Sequence, residues 1–130
     1  MTLKTKYENI GAKVVDAALQ VHRELGPGLL ESVYEVCLVE ELKEKGLSVE
    51  RQVRFPVNYK GKELAKEFVI DILVEKMIVI ELKAVEQLLP VHEVQLVTYL
   101  KLTDMYLGFL INFNVSLIKN GIRRKINGYL

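Results

Sequence analysis

The chain has 130 residues and a mass of 14.9 kDa, half of it hydrophobic, with 18 basic and 17 acidic side chains and a net charge of +1. That length fits one domain, read over 1–130, with enough chain to bury a core without staples. The near balance of charge excludes a polybasic binder held by bulk phosphate neutralisation, and the high apolar content excludes an acidic disordered chain.

A first helix is expected from the capping-box spacing of Thr5 and Glu8 to Leu25, because Ile10, Val14, Ala18, Val21 and Leu25 recur every three or four residues. His22, between Val21 and Arg23, is read as a surface residue. Gly26-Pro27-Gly28 breaks the helix, since proline cannot continue the hydrogen-bond ladder. A second helix follows from about Leu29 to Lys45. Leu30, Val33, Tyr34, Cys37, Leu38 and Leu42 are assigned to its buried face, Glu40, Glu41 and Glu44 to solvent, and Gly46 to its stop. Cys37 is read as a small core hydrophobe. As the lone cysteine it has no internal disulfide partner, which points to a reducing cytoplasm, and residues 1–7 lack the apolar core of a secretory signal.

The period then changes to two. Leu47, Val49, Arg51, Val53, Phe55, Val57 and Tyr59 alternate as in a strand with one buried face, and Pro56 marks an edge or a bulge. Lys60-Gly61-Lys62 is a turn, Leu64 to Val74 a second strand, and Glu75-Lys76 another turn. Met77 to Lys83 opens on four apolar residues and suits a central strand. Pro90 starts a third helix over Val91–Leu102, a strand follows from Tyr106 to Phe113, and Asn120-Gly121 signals a hairpin within Ser116–Ile126. No apolar run approaches the ~18 residues needed to cross a bilayer. The fold class is thus α/β (α+β), in the order α-α-β-β-β-α-β plus a C-terminal β-hairpin.

Three ionisable residues interrupt the apolar strands, where charge is costly unless paired or coordinated. Glu81 and Lys83 stand two apart and share a face. Asp71 faces Glu81 if the second and third strands are joined by an odd-length loop or a bulge, whereas a two-residue turn would set the pair on opposite faces. Two carboxylates and a lysine suit a hard divalent cation, which takes one or two carboxylates and leaves positions for water or phosphate. The competing reading is a cross-strand ion pair. Glu31 and Tyr34 share a helical face, Glu31 either turning inward or complementing the helix dipole from the first turn. His92, Gln95 and Tyr99 form one stripe of the third helix that faces the sheet or is an ordinary polar face.

The run Gly26-Pro27-Gly28-x-x-Glu31-x-x-Tyr34 resembles the signature of the GxxExxY protein family, placed in the PD-(D/E)XK nuclease-like superfamily. The likeness extends through the Asp71 strand, Val79–Ala84, Pro90–Tyr99, Leu110–Phe113 and Gly121–Arg124. It implies a restriction-endonuclease-like core with Asp71 and Glu81 as metal ligands, Glu31 as the acid contributed by the N-terminal helix, and Lys83 as the catalytic lysine. Gln95 and Tyr99 match a Gln-x-x-x-Tyr helix motif near the site. Apart from the resemblance, His92 and Tyr34 are read as supporting or phosphate-contacting residues. Ile70 stands where a proline commonly precedes the first aspartate.

The expected activity is a Mg²⁺- or Mn²⁺-dependent phosphodiesterase acting on nucleic acid, DNA ahead of RNA, with no membrane partner. The alternatives are a non-catalytic binding module that keeps the fold, and a dimeric junction-resolving nuclease whose two copies cut both strands. Charge is unevenly placed: residues 31–50 carry six acids and two bases, whereas 105–130 carry Lys119, Arg123, Arg124 and Lys125 and no acid. Arg51, Arg54, Lys60, Lys62 and Lys66 add a basic stretch beside the site strands, so local guidance of phosphate is compatible with a total of +1.

Overall fold

The computed structural model describes residues 2–129; Met1 and Leu130, the ends of the domain read over 1–130, lie outside them. Helix α1 spans Leu3–Leu25 and starts a turn earlier than the Thr5–Glu8 spacing suggested, because the Thr2 hydroxyl accepts the Thr5 backbone N–H at 3.1 Å. Tyr7, Ile10, Val14, Ala17, Ala18 and Val21 are buried along one stripe. At its end Gly26 takes φ +69° and donates its N–H to the His22 carbonyl at 2.8 Å. His22 itself is buried rather than on the surface. Its imidazole Nε2 lies 2.7 Å from the Val115 carbonyl, which ties α1 to the segment between the last two strands.

Helix α2, Glu31–Glu44, buries Tyr34, Glu35, Leu38, Val39 and Leu42. The apolar face is rotated from the expected one. Leu30 precedes the helix in extended conformation and is 74% exposed, Val33 is also exposed, and Cys37 is half-buried. The carboxylate of Glu35 takes a buried place instead, for reasons given below.

Strands β1 (Val49–Tyr59) and β2 (Lys62–Val74) form a long antiparallel hairpin, with a register shift between Pro56 and Asn58 at the expected irregularity. Strand β3, Ile78–Lys83, pairs antiparallel with β2. Helix α3, Pro90–Thr103, then carries the chain over to β4, Leu107–Asn112, which runs parallel to β3. The five strands lie in the order β1-β2-β3-β4-β5, which makes β3 central, as its apolar run required, and β1 an edge.

The C-terminal hairpin is built from β4 and β5 (Ile122–Ile126), which pair antiparallel, and not from a hairpin contained within 116–126. Asn120-Gly121 closes a 3-10 turn, Ile118–Gly121. Gly121 is required there because a Cβ would stand 2.1 Å from the Asn112 carbonyl oxygen. One apolar cluster packs α1 and α2 on the sheet, through residues such as Val14, Leu38, Ile80 and Phe109. A second packs α3 on it, through Leu96, Leu100, Leu73, Val79 and Leu110. The result is a mixed α+β, restriction-endonuclease-like arrangement.

Candidate functional site

The β2–β3 connection decides which face Asp71 takes. Val74 pairs with Ile78, so the loop is Glu75-Lys76-Met77, with Glu75 and Lys76 both at positive φ. That odd-length loop sets Asp71 opposite Glu81 on the continued register, where a two-residue turn would have separated them. Ladder pairing stops at Ile72–Ile80, and the carboxylates take over where it ends. Asp71 Oδ2 accepts the Leu82 backbone N–H at 2.8 Å, and Glu81 Oε1 accepts the Asp71 backbone N–H at 3.4 Å. The strands part at this point, held by side chains rather than by each other. Lys83, two residues beyond Glu81 on the same face, closes β3 and donates no ion pair within 4 Å among the described residues.

The face is that of α3, since Val79, two residues before Glu81 on β3, packs with Leu96 and Leu100, whereas Ile80 and Leu82 face the other cluster. Tyr99 comes from the same helix, stacks on Phe68 at 4.9 Å, and has its phenol pushed up by burial and by the nearby Glu81 and Asp71 charges. Gln95, one turn earlier, is exposed. His92 serves its own helix: its Nδ1 accepts the Leu89 backbone N–H at 3.0 Å.

Glu31 reaches the same region from the other side. Gly28, at φ +99°, lets the chain turn out of Gly26-Pro27, and the fully buried Tyr34 fastens that loop. The Tyr34 hydroxyl donates to the Gly26 carbonyl at 2.6 Å and accepts the Leu29 N–H at 3.1 Å, while its ring lies flat on Phe113 at 4.5 Å. The spacing of glycine, glutamate and tyrosine thus has a mechanical basis. Glycine turns the loop, tyrosine pins it, and glutamate is delivered as the first helical residue.

Electrostatically the cluster is unbalanced. Burial, then the neighbouring Asp71, push the Glu81 carboxyl up to about 9. Glu31 is raised as well, by burial and then by Asp71, with Lys83 opposing. A cation would relieve this, and the donors are hard oxygens of the kind Mg²⁺ and Mn²⁺ take. The structure brings Asp71 and Glu81 together and leaves Glu31 in their field, and no group of three or more His, Cys, Asp or Glu among the described residues closes into a metal cage. Two carboxylates with open positions are the donor set a magnesium site needs.

Two residues escaped the sequence reading. Glu35, one turn after Glu31 and only 7% exposed, accepts from Arg51 Nη2 at 2.7 Å, Arg51 Nε at 3.2 Å and Gln52 Nε2 at 2.7 Å. Gln52 has φ +51° inside a strand. The only signal in the sequence was an acid at the i+4 position from Glu31 with a basic residue on the following strand. The expected basic stretches are also less free than their composition suggested. Arg51 is spent on Glu35, Arg54 lies 3.9 Å from Glu67, Lys125 pairs with Glu93 at 2.5 Å, and Arg123 donates to the Asn120 and Ile122 carbonyls.

No helix among the described residues is long and apolar enough to cross a membrane. Residues 8–125 match the family model of the PD-(D/E)XK nuclease superfamily. No curated protein and no solved structure gave a match.

Proposed function

Since the chain belongs to the PD-(D/E)XK nuclease superfamily, we propose that it hydrolyses phosphodiester bonds in DNA, ahead of RNA, with Mg²⁺ or Mn²⁺ as cofactor. Superfamily membership points to a nucleic-acid substrate and a phosphodiesterase; the ion, the nucleic acid and the residues are our reading. The narrower resemblance to the GxxExxY family rests on Gly28, Glu31 and Tyr34.

One observation supports the reading most. Asp71 and Glu81 stand opposite each other where β2 and β3 part, with Lys83 on the same face and the Glu81 carboxyl pushed to about 9 by burial and by Asp71. A buried carboxyl whose ionisation is opposed by burial and by a neighbouring carboxylate is a device for taking up a cation. Asp71 and Glu81, with Glu31 completing the set, would hold the ion. When bound it would neutralise a phosphoryl oxygen and acidify a water. Lys83 would orient the attacking water and oppose the charge that develops on the phosphate. Gln95 would orient the phosphate or Lys83, Tyr99 would bound the site, and Tyr34 would keep the Glu31 loop in place. His92, with Nδ1 committed to the helix start, would offer Nε2 to a phosphate.

Cleavage of plasmid and labelled oligonucleotides with Mg²⁺ or Mn²⁺, comparing wild type with Asp71→Ala and Lys83→Ala, tests the proposal. We expect metal-dependent cleavage, and a loss of about 100-fold or more in either variant. Equal cleavage by the variants, or no cleavage of any nucleic acid by the wild type, would overturn it. A second reading, a binding module that keeps the fold, is favoured by one feature. Both carboxylates already have a structural use in accepting backbone N–H groups. Under that reading nucleic acid binds without turnover, and Mn²⁺ gives no calorimetric heat that Glu81→Ala abolishes.

A further inference from the structure

The buried Glu35 has no part in the proposed chemistry, yet burying a carboxylate is expensive and this one is fully engaged. Its third bond explains why. Gln52 has φ +51°, a conformation that is unfavourable for a non-glycine residue and persists only where surroundings impose it. Glu35 Oε1 takes the Gln52 amide at 2.7 Å, and the arginine beside Gln52 clamps Glu35 Oε2.

The consequence for the sheet is visible on either side of Gln52. Val49 packs with the α1–α2 cluster and Arg51 reaches Glu35 on α2, whereas Val53 and Phe55 join the α3 cluster. Residues at even spacing in a regular strand would all share one face, so β1 turns over at Gln52. Strand β2 does the same across from it: Ile72 and Val74 belong to the first cluster, Ile70 and Phe68 to the second. The residue at that crossing is Asp71. Arg51 pairs with Ile72 and Val53 with Ile70, which sets Gln52 opposite Asp71.

We propose that Glu35 is a positioning residue for the carboxylate pair: by holding Gln52 in its left-handed turn it sets where β2 turns over, and so fixes where Asp71 presents its carboxylate. This rests on the reading of Asp71 as a site residue. Glu35 touches neither metal nor substrate; it acts through Gln52.

The measurement is amide hydrogen exchange on the full chain without metal, read at Leu82, whose N–H is held by Asp71 Oδ2, with Val79 and Ile80 as internal controls. In Glu35→Ala, exchange at Leu82 rises about tenfold or more, the scale of one lost charge-assisted hydrogen bond, while the controls hold. Glu35→Gln retains an oxygen for the Gln52 amide and keeps Leu82 protected. Gln52→Gly in the Glu35→Ala background restores protection, because glycine adopts the turn without being held. Unchanged exchange in Glu35→Ala overturns the proposal. So does loosening that Gln52→Gly fails to rescue, or equal loosening in Glu35→Gln, which would assign the effect to charge near Glu31. Should Glu35→Ala not fold, Gln52→Ala, which keeps the Glu35–Arg51 pair, carries the same expectation at Leu82. Exchange reads the placement of Asp71 whether or not the protein cuts nucleic acid, so a failed cleavage assay leaves this test standing.

Discussion

Glu81 shows what the site asks of a single side chain. Its carboxyl, ordinarily at 4.5, sits at about 9 in the fold because water is excluded and Asp71 lies beside it. The native state therefore keeps a proton that the unfolded chain releases. The stabilising contribution is fully present below pH 4.5 and is lost as pH rises through about 9. Without metal, the melting temperature of the wild type should fall over that range relative to Glu81→Gln, whose side chain does not titrate. Parallel melting curves for the two proteins would contradict this account. That Asp71 and Glu81 interrupt apolar strands was plain in the sequence. That they face each other was not, because it depends on whether the connecting loop has two residues or three. Glu35 was illegible for a different reason: its partners lie on the next strand, and nothing local distinguishes it from the solvated Glu40 and Glu44.

At the scale of elements, the loop before α2 couples local geometry to the site. The Tyr34 hydroxyl bridges the Gly26 carbonyl and the Leu29 N–H, the two sides of the turn that delivers Glu31. Tyr34→Phe keeps the ring on Phe113 and removes only the bridge. It should cost about 1–3 kcal/mol in a denaturant titration, because both backbone groups lose a buried partner. It should also lower cleavage by loosening Glu31. A variant as stable as wild type would show that the loop holds itself. Helix and strand order were readable because the apolar period switches from near four to two and back, with Gly26-Pro27-Gly28, Gly61 and Pro90 as punctuation. The C-terminal hairpin was misplaced because Asn120-Gly121 satisfies a local turn rule, while the strand that β5 pairs with, β4, is chosen by long-range burial. Likewise α2 turned a different face inward because Arg51 and Gln52 offered Glu35 a partnered place beside the core, which no periodicity records.

For the whole molecule, a net charge of +1 was compatible with a nuclease only if bases gathered around a site that needs acids. The fold uses several of those bases for ion pairs, so under the proposed function guidance of phosphate would fall to the residues left over, Lys83 foremost, where β2 and β3 separate. The sheet makes that place by ending the β2–β3 ladder early and letting carboxylates accept the backbone N–H groups there. The central claim is that this carboxylate pair takes a divalent cation, and anomalous diffraction from crystals soaked in Mn²⁺ tests it most directly. The account predicts a manganese peak between the Asp71 and Glu81 carboxylates, with Glu31 drawn toward it, and loss of the peak in Glu81→Ala. Crystals of the wild type with no peak at that pair, or with manganese bound only elsewhere, would contradict it.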